Sequence, residues 1–387
     1  MRMGKIILII ISAILLSACF NRVEYSRKSE DAQQAASYVN ALLGPISENE
    51  ESFFLLDHNA SYLVQIDKHT GACAILCNKA DCLHHEEVDE QRKYDCNAFV
   101  AGALSAPQYY NGNIYVDRYE QEAPPRLFAY NLDGTGFKQS VQIKNHASWY
   151  IYEDWVYYVY ADFDGTKLPE AQHAAAGYHV MKQSLARPSE APQVLYEKLG
   201  VFASAQGIHV INGKLVAKAL AETSGSSAED IRVAMNVIIT DLADETSIVV
   251  EGLDFEGYQD DYIISMREED GGGYSLAGFS LQTGEKAWQD STISTAESCA
   301  TYANDDYIFL DKNRTQPEKR EIVVYDKERN SNTIRPGKCY YAGINDTYIL
   351  FTGPSSLDAG DRILFGYPLA DIMQPGVVPE ILYRYEN

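Results

Sequence analysis

The residues best suited to chemistry crowd into one stretch, Cys73 to Ala98, which reads CAILCNKADCLHHEEVDEQRKYDCNA. It holds Cys73, Cys77, Cys82 and Cys96, with His84 and His85 between them. Thiols and imidazoles so placed support two chemistries. The first is covalent. Disulfides persist in an oxidising compartment, and four cysteines allow three pairings. A bond from Cys77 or Cys82 to Cys96 would close a loop of about 14 to 19 residues, worth up to about 3 kcal/mol. The second is coordination. Zinc takes tetrahedral sets of Cys and His, and Cys77, Cys82, His84 and Cys96 form a Cys₃His group. The spacing Cys77-x₄-Cys82 stands at the wide end of the usual range, while Cys82-x-His84 is compact. No Cys-x-x-Cys pair occurs, which argues against a thioredoxin-like redox role. Under either chemistry the stretch clamps a long excursion of the chain. Cys299 and Cys339 open two consecutive, similar segments. They form a second disulfide if their Cα atoms lie within about 7 Å, and are otherwise two small buried hydrophobes.

Other catalytic sets are missing from the sequence. It has no Gly-x-Ser-x-Gly elbow, no His-Glu-x-x-His and no phosphate-binding glycine loop. The Asp-Gly pairs at Asp133, Asp164 and Asp270 lack the spaced carboxylates of a calcium loop and read as hairpin turns. His146, His173, His179 and His209 are scattered and read as strand or loop residues. The densest aromatic stretch holds Trp149, Trp155 and Tyr157, the candidates for stacking on a ligand. Alternation puts Trp149, Ile151, Glu153 and Trp155 on one side of a strand. Packing between neighbouring sheets is the competing use for them.

The elements that position these groups begin with an address. Arg2 and Lys5 precede an apolar run, Ile6 to Leu16, and small residues lead to Cys19. That order is a secretory signal peptide, and the run is short of the roughly 20 residues that span a bilayer. Leu16-Ser17-Ala18-Cys19 resembles a bacterial lipobox. The resemblance implies cleavage after residue 18 and a diacylated Cys19, whose acyl chains supply membrane affinity at about 0.8 kcal/mol per CH₂. Residues 19–50 then read as a tether and lead-in, ending in a short helix or an arm that joins the body. The body, residues 51–387, stands outside the cytoplasm on a lipid bilayer. With 32 basic and 55 acidic residues the chain carries −23, spread along its length. That charge excludes nucleic acid, which asks for Lys and Arg patches.

The body reads as all-β. Tyr is abundant, with 28 in the chain, and joins Val, Ile, Phe and Trp in short runs suited to half-buried strands. Seven passages repeat one plan of strand, turn, strand, loop and strand, with a period of roughly 35 to 50 residues. They cover 52–77, 106–143, 148–197, 200–252, 255–290, 299–336 and 340–385. Asn111-Gly112, Asn212-Gly213 and Asp133-Gly134 can take the positive φ that tight hairpins need. Thr70-Gly71 and Thr283-Gly284 close others. A repeat of this length predicts a β-propeller of seven blades, with residues 73–98 as a disulfide- or metal-clamped insertion near the first. Its YxxDLxTG-like text resembles YVTN, quinoprotein-like and low-density-lipoprotein-receptor-like propellers.

The cysteine stretch also resembles a lipoprotein family of Gram-positive gut bacteria, of the Clostridia type. In that family a lipobox is followed by LCNKPDCxHxxxxCNA and then by propeller-like repeats. Here Leu76 to Asp81 reads LCNKAD, with Ala80 at the family's proline. Cys82-x-His84 and Cys96-Asn97-Ala98 match, Glu86 to Asp95 is a longer loop, and Cys73 is additional. The resemblance implies an anchored propeller and supplies no reaction. The expectation is a non-enzymatic binding module at the cell envelope for a peptide, a glycan or a protein. A carbohydrate-active enzyme, a lyase or glycoside hydrolase, is the alternative. A structural zinc, or another metal in its place, is the cofactor that the cluster would take under the second chemistry.

Overall fold

The computed structural model describes residues 46–57, 61–84, 90–100, 102, 105–118, 125–144, 147–162, 177–200, 203–223, 232–254, 257–268, 273–294, 299–354 and 362–385. Residues 1–18, Cys19, His85, His146, His173 and Asp164 lie outside them. None of the described helices is long and apolar enough to cross a membrane.

The described chain folds as antiparallel four-strand meanders, in which each strand pairs with the next. Five are separate sheets, spanning 46–75, 108–142, 148–199, 203–251 and 340–384. The repeats predict seven blades, and this count is corrected. Residues 257–294 and 299–334 join into one eight-stranded sheet. Their first strands, Gly257–Gln259 and Cys299–Ala303, touch through one parallel pair, Gly257↔Ala303. Glycine permits that approach, since a Cβ on Gly257 would lie 2.3 Å from the Ala303 backbone.

The hairpin signals operate as turn chemistry requires. Asn111-Gly112 and Asn212-Gly213 both hold positive φ at the two central positions, the primed turn that matches strand twist. One turn departs from the sequence reading. The segment from Trp149 to Trp155 is not a single strand, because Glu153 and Asp154 both adopt positive φ and separate Ser148–Tyr152 from Trp155–Asp162. Asp tolerates that region, and Glu does not favour it. Tyr110 stabilises the turn, accepting from the Asp154 N–H at 2.7 Å and donating to its carboxylate at 3.0 Å. Ile46–Glu48 forms the first strand of the first sheet, paired with Ser52–Asp57.

Hydrophobic cores lie between meanders rather than within them. Phe54 and Leu63 pack with Ile114 and Tyr130, and Leu127 with Trp149. Val159 packs with Leu215 and Val237 with Ile263. Inside the eight-stranded sheet Ile264 and Leu276 pack with Ala303 and Ile308. Phe309 then packs with Ile349 and Phe351, and the series closes where Leu350 and Leu364 meet Leu55 and Val64. No strand is exchanged between the first and last described sheets. Side chains bridge them instead. Glu48 accepts from the Asp346 N–H and the Thr347 hydroxyl, both at 3.1 Å, and Tyr383 donates to Asp57 at 2.9 Å. Closure therefore rests on apolar packing and these side-chain hydrogen bonds. Leu55→Ala, at a fully buried position of this seam, should cost about 3 kcal/mol and lower the melting temperature measurably.

Candidate metal centre and channel mouth

The chain leaves the first sheet after its outer strand, Cys73–Ile75, and re-enters the fold at Gln108–Tyr110. The intervening loop is pinned at both ends. Leu63 N–H donates to Ala98 at 3.0 Å, Val100 N–H to Ser61 at 2.8 Å, and Tyr62 and Phe99 form a bridge. The next sheet holds the other side. The Gly134 carbonyl accepts from Asn78 N–H at 3.2 Å and from the Asn97 side chain at 2.7 Å. A Cβ at Gly134 would meet Asn78 N at 2.8 Å, so this turn glycine also serves as a docking surface. A four-residue helix, Glu90–Lys93, delivers Cys96, whose N–H donates to Lys93 at 3.0 Å. Buried Tyr62 donates its hydroxyl to the His84 carbonyl at 2.7 Å and so fixes the imidazole's backbone, which holds a φ of 53°.

These constraints bring Cys77, Cys82, His84 and Cys96 together, with one ligand atom from each inside a 4.8 Å span. Cys96 Sγ and His84 Nδ1 lie 3.7 Å apart. A zinc tetrahedron with Zn–S near 2.3 Å and Zn–N near 2.0 Å has edges of about 3.6–3.8 Å. The donor set and its span fit that ion with slight contraction. Burial pushes the Cys96 thiol up to about 12. Burial acts the same way on Cys77, but the N–H groups of Lys79 and Asn97 and the neighbouring thiols outweigh it, so Cys77 lies below its usual value. A pocket of 210 Å³ adjoins the group, lined by Lys79, Asp81, Leu83, Arg92, Lys93 and Asp95 as well as by three of the ligands.

Cys73 is not in the group. It lies opposite Ile66 on the exposed outer strand and directs its sulfur to the Gly71 carbonyl, 3.7 Å away. The second disulfide is also corrected. Cys299 and Cys339 keep separate thiols, and Cys339 Sγ faces the Arg320 guanidinium at 3.2 Å. Trp149 and Tyr157 are buried between sheets and present no face to a ligand. Trp155 is half-buried beneath Lys182, with the ammonium 4.6 Å from its ring.

A second set of side chains, passed over in the sequence reading, comes from the first strands of consecutive meanders. Tyr150 stands on Ser148–Tyr152, His209 on Ala203–Ile211 and Tyr258 on Gly257–Gln259. The His209 ring lies 4.4 Å from Tyr150 and 6.0 Å from Tyr258, centroid to centroid. The turns that follow the first strands are tied across sheets. Asn212 donates to Asp260 and Asp261 at 3.0 and 3.2 Å. Lys327 pairs with Asp260 at 2.9 Å and Asp306 at 3.8 Å. These turns thus share one face. Burial pulls His209 down to about 4, against the bond its Nδ1 makes to the Val210 carbonyl at 2.8 Å. Burial raises Tyr150 to about 12, with help from Asp346. Tyr258 rises to about 12 through burial, then Asp305, Tyr150 and Asp346. Burial also raises Asp305, against the Lys327 charge and the Asp260 N–H. Rings from three consecutive meanders thus converge. The only signal for His209 in the sequence was its place three residues before the Asn212-Gly213 turn.

No protein-family model matches the chain, and no curated protein sequence matches it. Solved structures do. The β-propeller domain of the Trilobed protease from Pyrococcus furiosus, reported with an open velcro topology, aligns at TM-score 0.52 and 11% identity over 89% of this chain and 96% of that one. This chain is a β-propeller. A prolyl endopeptidase structure aligns at TM-score 0.59 and 12% identity over 93% of this chain and 52% of its own. The acylaminoacyl peptidase of Pyrococcus horikoshii aligns at 0.54 and 10% over 89% and 53%. The chain spans about half the length of these two peptidases. At such identities the likeness shows the fold alone.

Proposed function

We propose that this chain is a lipid-anchored propeller outside the cytoplasm, that it binds a ligand at the mouth of its channel, and that zinc clamps the loop between its first two blades. The observation that carries the binding role is the convergence of Tyr150, His209 and Tyr258 from three successive blades. Aromatic rings at a propeller mouth suit recognition, and propellers as a class favour no one activity. The Cys77, Cys82, His84 and Cys96 group supports zinc over a disulfide, because His84 joins the three thiols at ligand distance. Closing that loop, zinc holds the second blade's Gly134 turn against the first.

The lipobox at Leu16 to Cys19 supports the anchor. Metabolic labelling with palmitate tests it: the full chain should carry label in the membrane fraction, and Cys19→Ala should abolish the label. Equal labelling of both would remove the anchor from the account. The carboxylates of Asp305 and Asp346 at the same mouth favour one second reading, a carbohydrate-active enzyme. Release of reducing ends from envelope glycans, lost on Asp305→Asn, would establish it.

A further inference from the structure

We propose that the metal centre is a peroxide-sensitive switch, in which oxidation joins Cys82 to Cys96, expels the zinc and releases the Cys77 side of the loop. The inference rests on the zinc reading proposed above and adds the regulation of that site.

The four ligands are not equivalent. The 210 Å³ pocket opens onto Cys82, His84 and Cys96, and Cys77 does not line it. A water takes up about 30 Å³, so the pocket has room for a small hydroperoxide. Cys77 lies toward the second sheet instead. The Gly134 turn covers its backbone, and a Cβ on Gly134 would stand 3.1 Å from the Cys77 Cα. Of the two cysteines at the pocket, Cys82 is half-buried and Cys96 is buried. Cys82 is therefore the sulfur that a peroxide reaches first, with Cys96 behind it. The two sulfurs lie within the 4.8 Å span of the ligand group. A disulfide needs about 2.0 Å, a gap that side-chain rotation and a small shift of the loop can close.

The chemistry balances with peroxide as the one oxidant. The Cys82 thiolate attacks one peroxide oxygen, the O–O bond breaks, and the other oxygen takes a proton and leaves as water. The Cys96 thiolate then attacks the Cys82 sulfenyl sulfur, whose hydroxide takes a second proton and leaves as a second water. Two thiolates have lost two electrons and the peroxide has gained them. Zinc is left with Cys77 and His84, half of its usual four ligands, and departs as the hydrated ion. The two bonds to the Gly134 carbonyl then differ in support. Asn97 follows Cys96, which the disulfide ties to Cys82, whereas Asn78 follows Cys77, which has lost its metal.

Hydrogen peroxide added in equimolar amount to the zinc-loaded full chain in detergent tests the switch. The expected result is release of zinc to a chromogenic chelator and a Cys82–Cys96 cross-link in peptide mass maps. Dimedone, which traps sulfenic acids, should label Cys82 ahead of Cys77 and Cys96. Reduction with a phosphine and added zinc should restore the bound metal. Amide exchange in the oxidised chain should rise at least about tenfold in residues 76–79 and keep the parent rate in residues 93–98. Cys73→Ser, outside the group, should respond to peroxide as the parent chain does. Zinc retained under peroxide, or released without a Cys82–Cys96 cross-link, would overturn the switch and leave the zinc clamp in place. A chain that holds no zinc before treatment would overturn the clamp, and the switch with it.

Discussion

Cys96→Ser should bind zinc far more weakly than the parent chain. Cys96 is the most buried of the four ligands, at 2% exposure, and enters from the short helix while Cys77 enters from the strand side. Removing it takes a thiolate from the coordination sphere and leaves a hydroxyl in an apolar core beside Phe99 and Ala98. Loss of an outer-sphere partner alone weakens a metal site by about 10- to 100-fold, so loss of a direct ligand should exceed about 100-fold. The consequence should reach beyond the loop. The Gly134 turn of the second blade is held by Asn78 and Asn97, which adjoin Cys77 and Cys96. Amide exchange should therefore accelerate in residues 76–84, 93–100 and the 131–136 turn together. Cys73→Ser is the internal control, since Cys73 lies outside the group. Its zinc content and exchange should match the parent chain. Zinc lost equally from both variants would show that the four-residue assignment is wrong.

The second large effect concerns a buried ion pair between residues 299–334 and the last sheet. Asp311 is wholly buried and Arg320 is 4% exposed. Arg320 grips the carboxylate with two bonds, Nε to Oδ1 at 2.9 Å and Nη2 to Oδ2 at 2.6 Å. Its remaining nitrogen donates to the Cys339 carbonyl, which leads into the last blade. Tyr302 donates to Asp311 at 3.2 Å. This fork fastens two neighbouring blades at a point where water cannot replace a missing partner. Asp311→Ala should cost about 3–5 kcal/mol, because it strands a desolvated guanidinium. Replacing both residues with apolar side chains of similar volume should cost much less, since burying the pair is itself expensive. Denaturant titration of the two variants separates these cases. Equal destabilisation would mean that the pair contributes through packing and not through charge.

The parts of the fold legible in the sequence were those fixed by neighbours along the chain. Asn111-Gly112, Asn212-Gly213, Thr70-Gly71 and Thr283-Gly284 announce their turns because the required backbone is local. Glu153-Asp154 does not, since a bond from distant Tyr110 supports it. The strand Ile46–Glu48 was hidden for the same reason. Only three residues long, it earns its place by packing against the last blade. The ligand set was visible in the spacing, where Cys73 already stood apart, and the exposed strand that carries Cys73 agrees. Trp149 and Tyr157 drew attention by size, and the ring arrangement buries them. Tyr150, His209 and Tyr258 lie roughly 50 residues apart in sequence and meet because blades are stacked.

The most direct test of the metal centre is elemental analysis of the full chain, purified from an exporting host without added metal or chelator, alongside a thiol titration in denaturant. The account predicts one zinc per chain, with the thiols of Cys77, Cys82 and Cys96 becoming reactive as the metal is released. A chain free of zinc, whose three cysteines fail to titrate until a reductant is added, would contradict it.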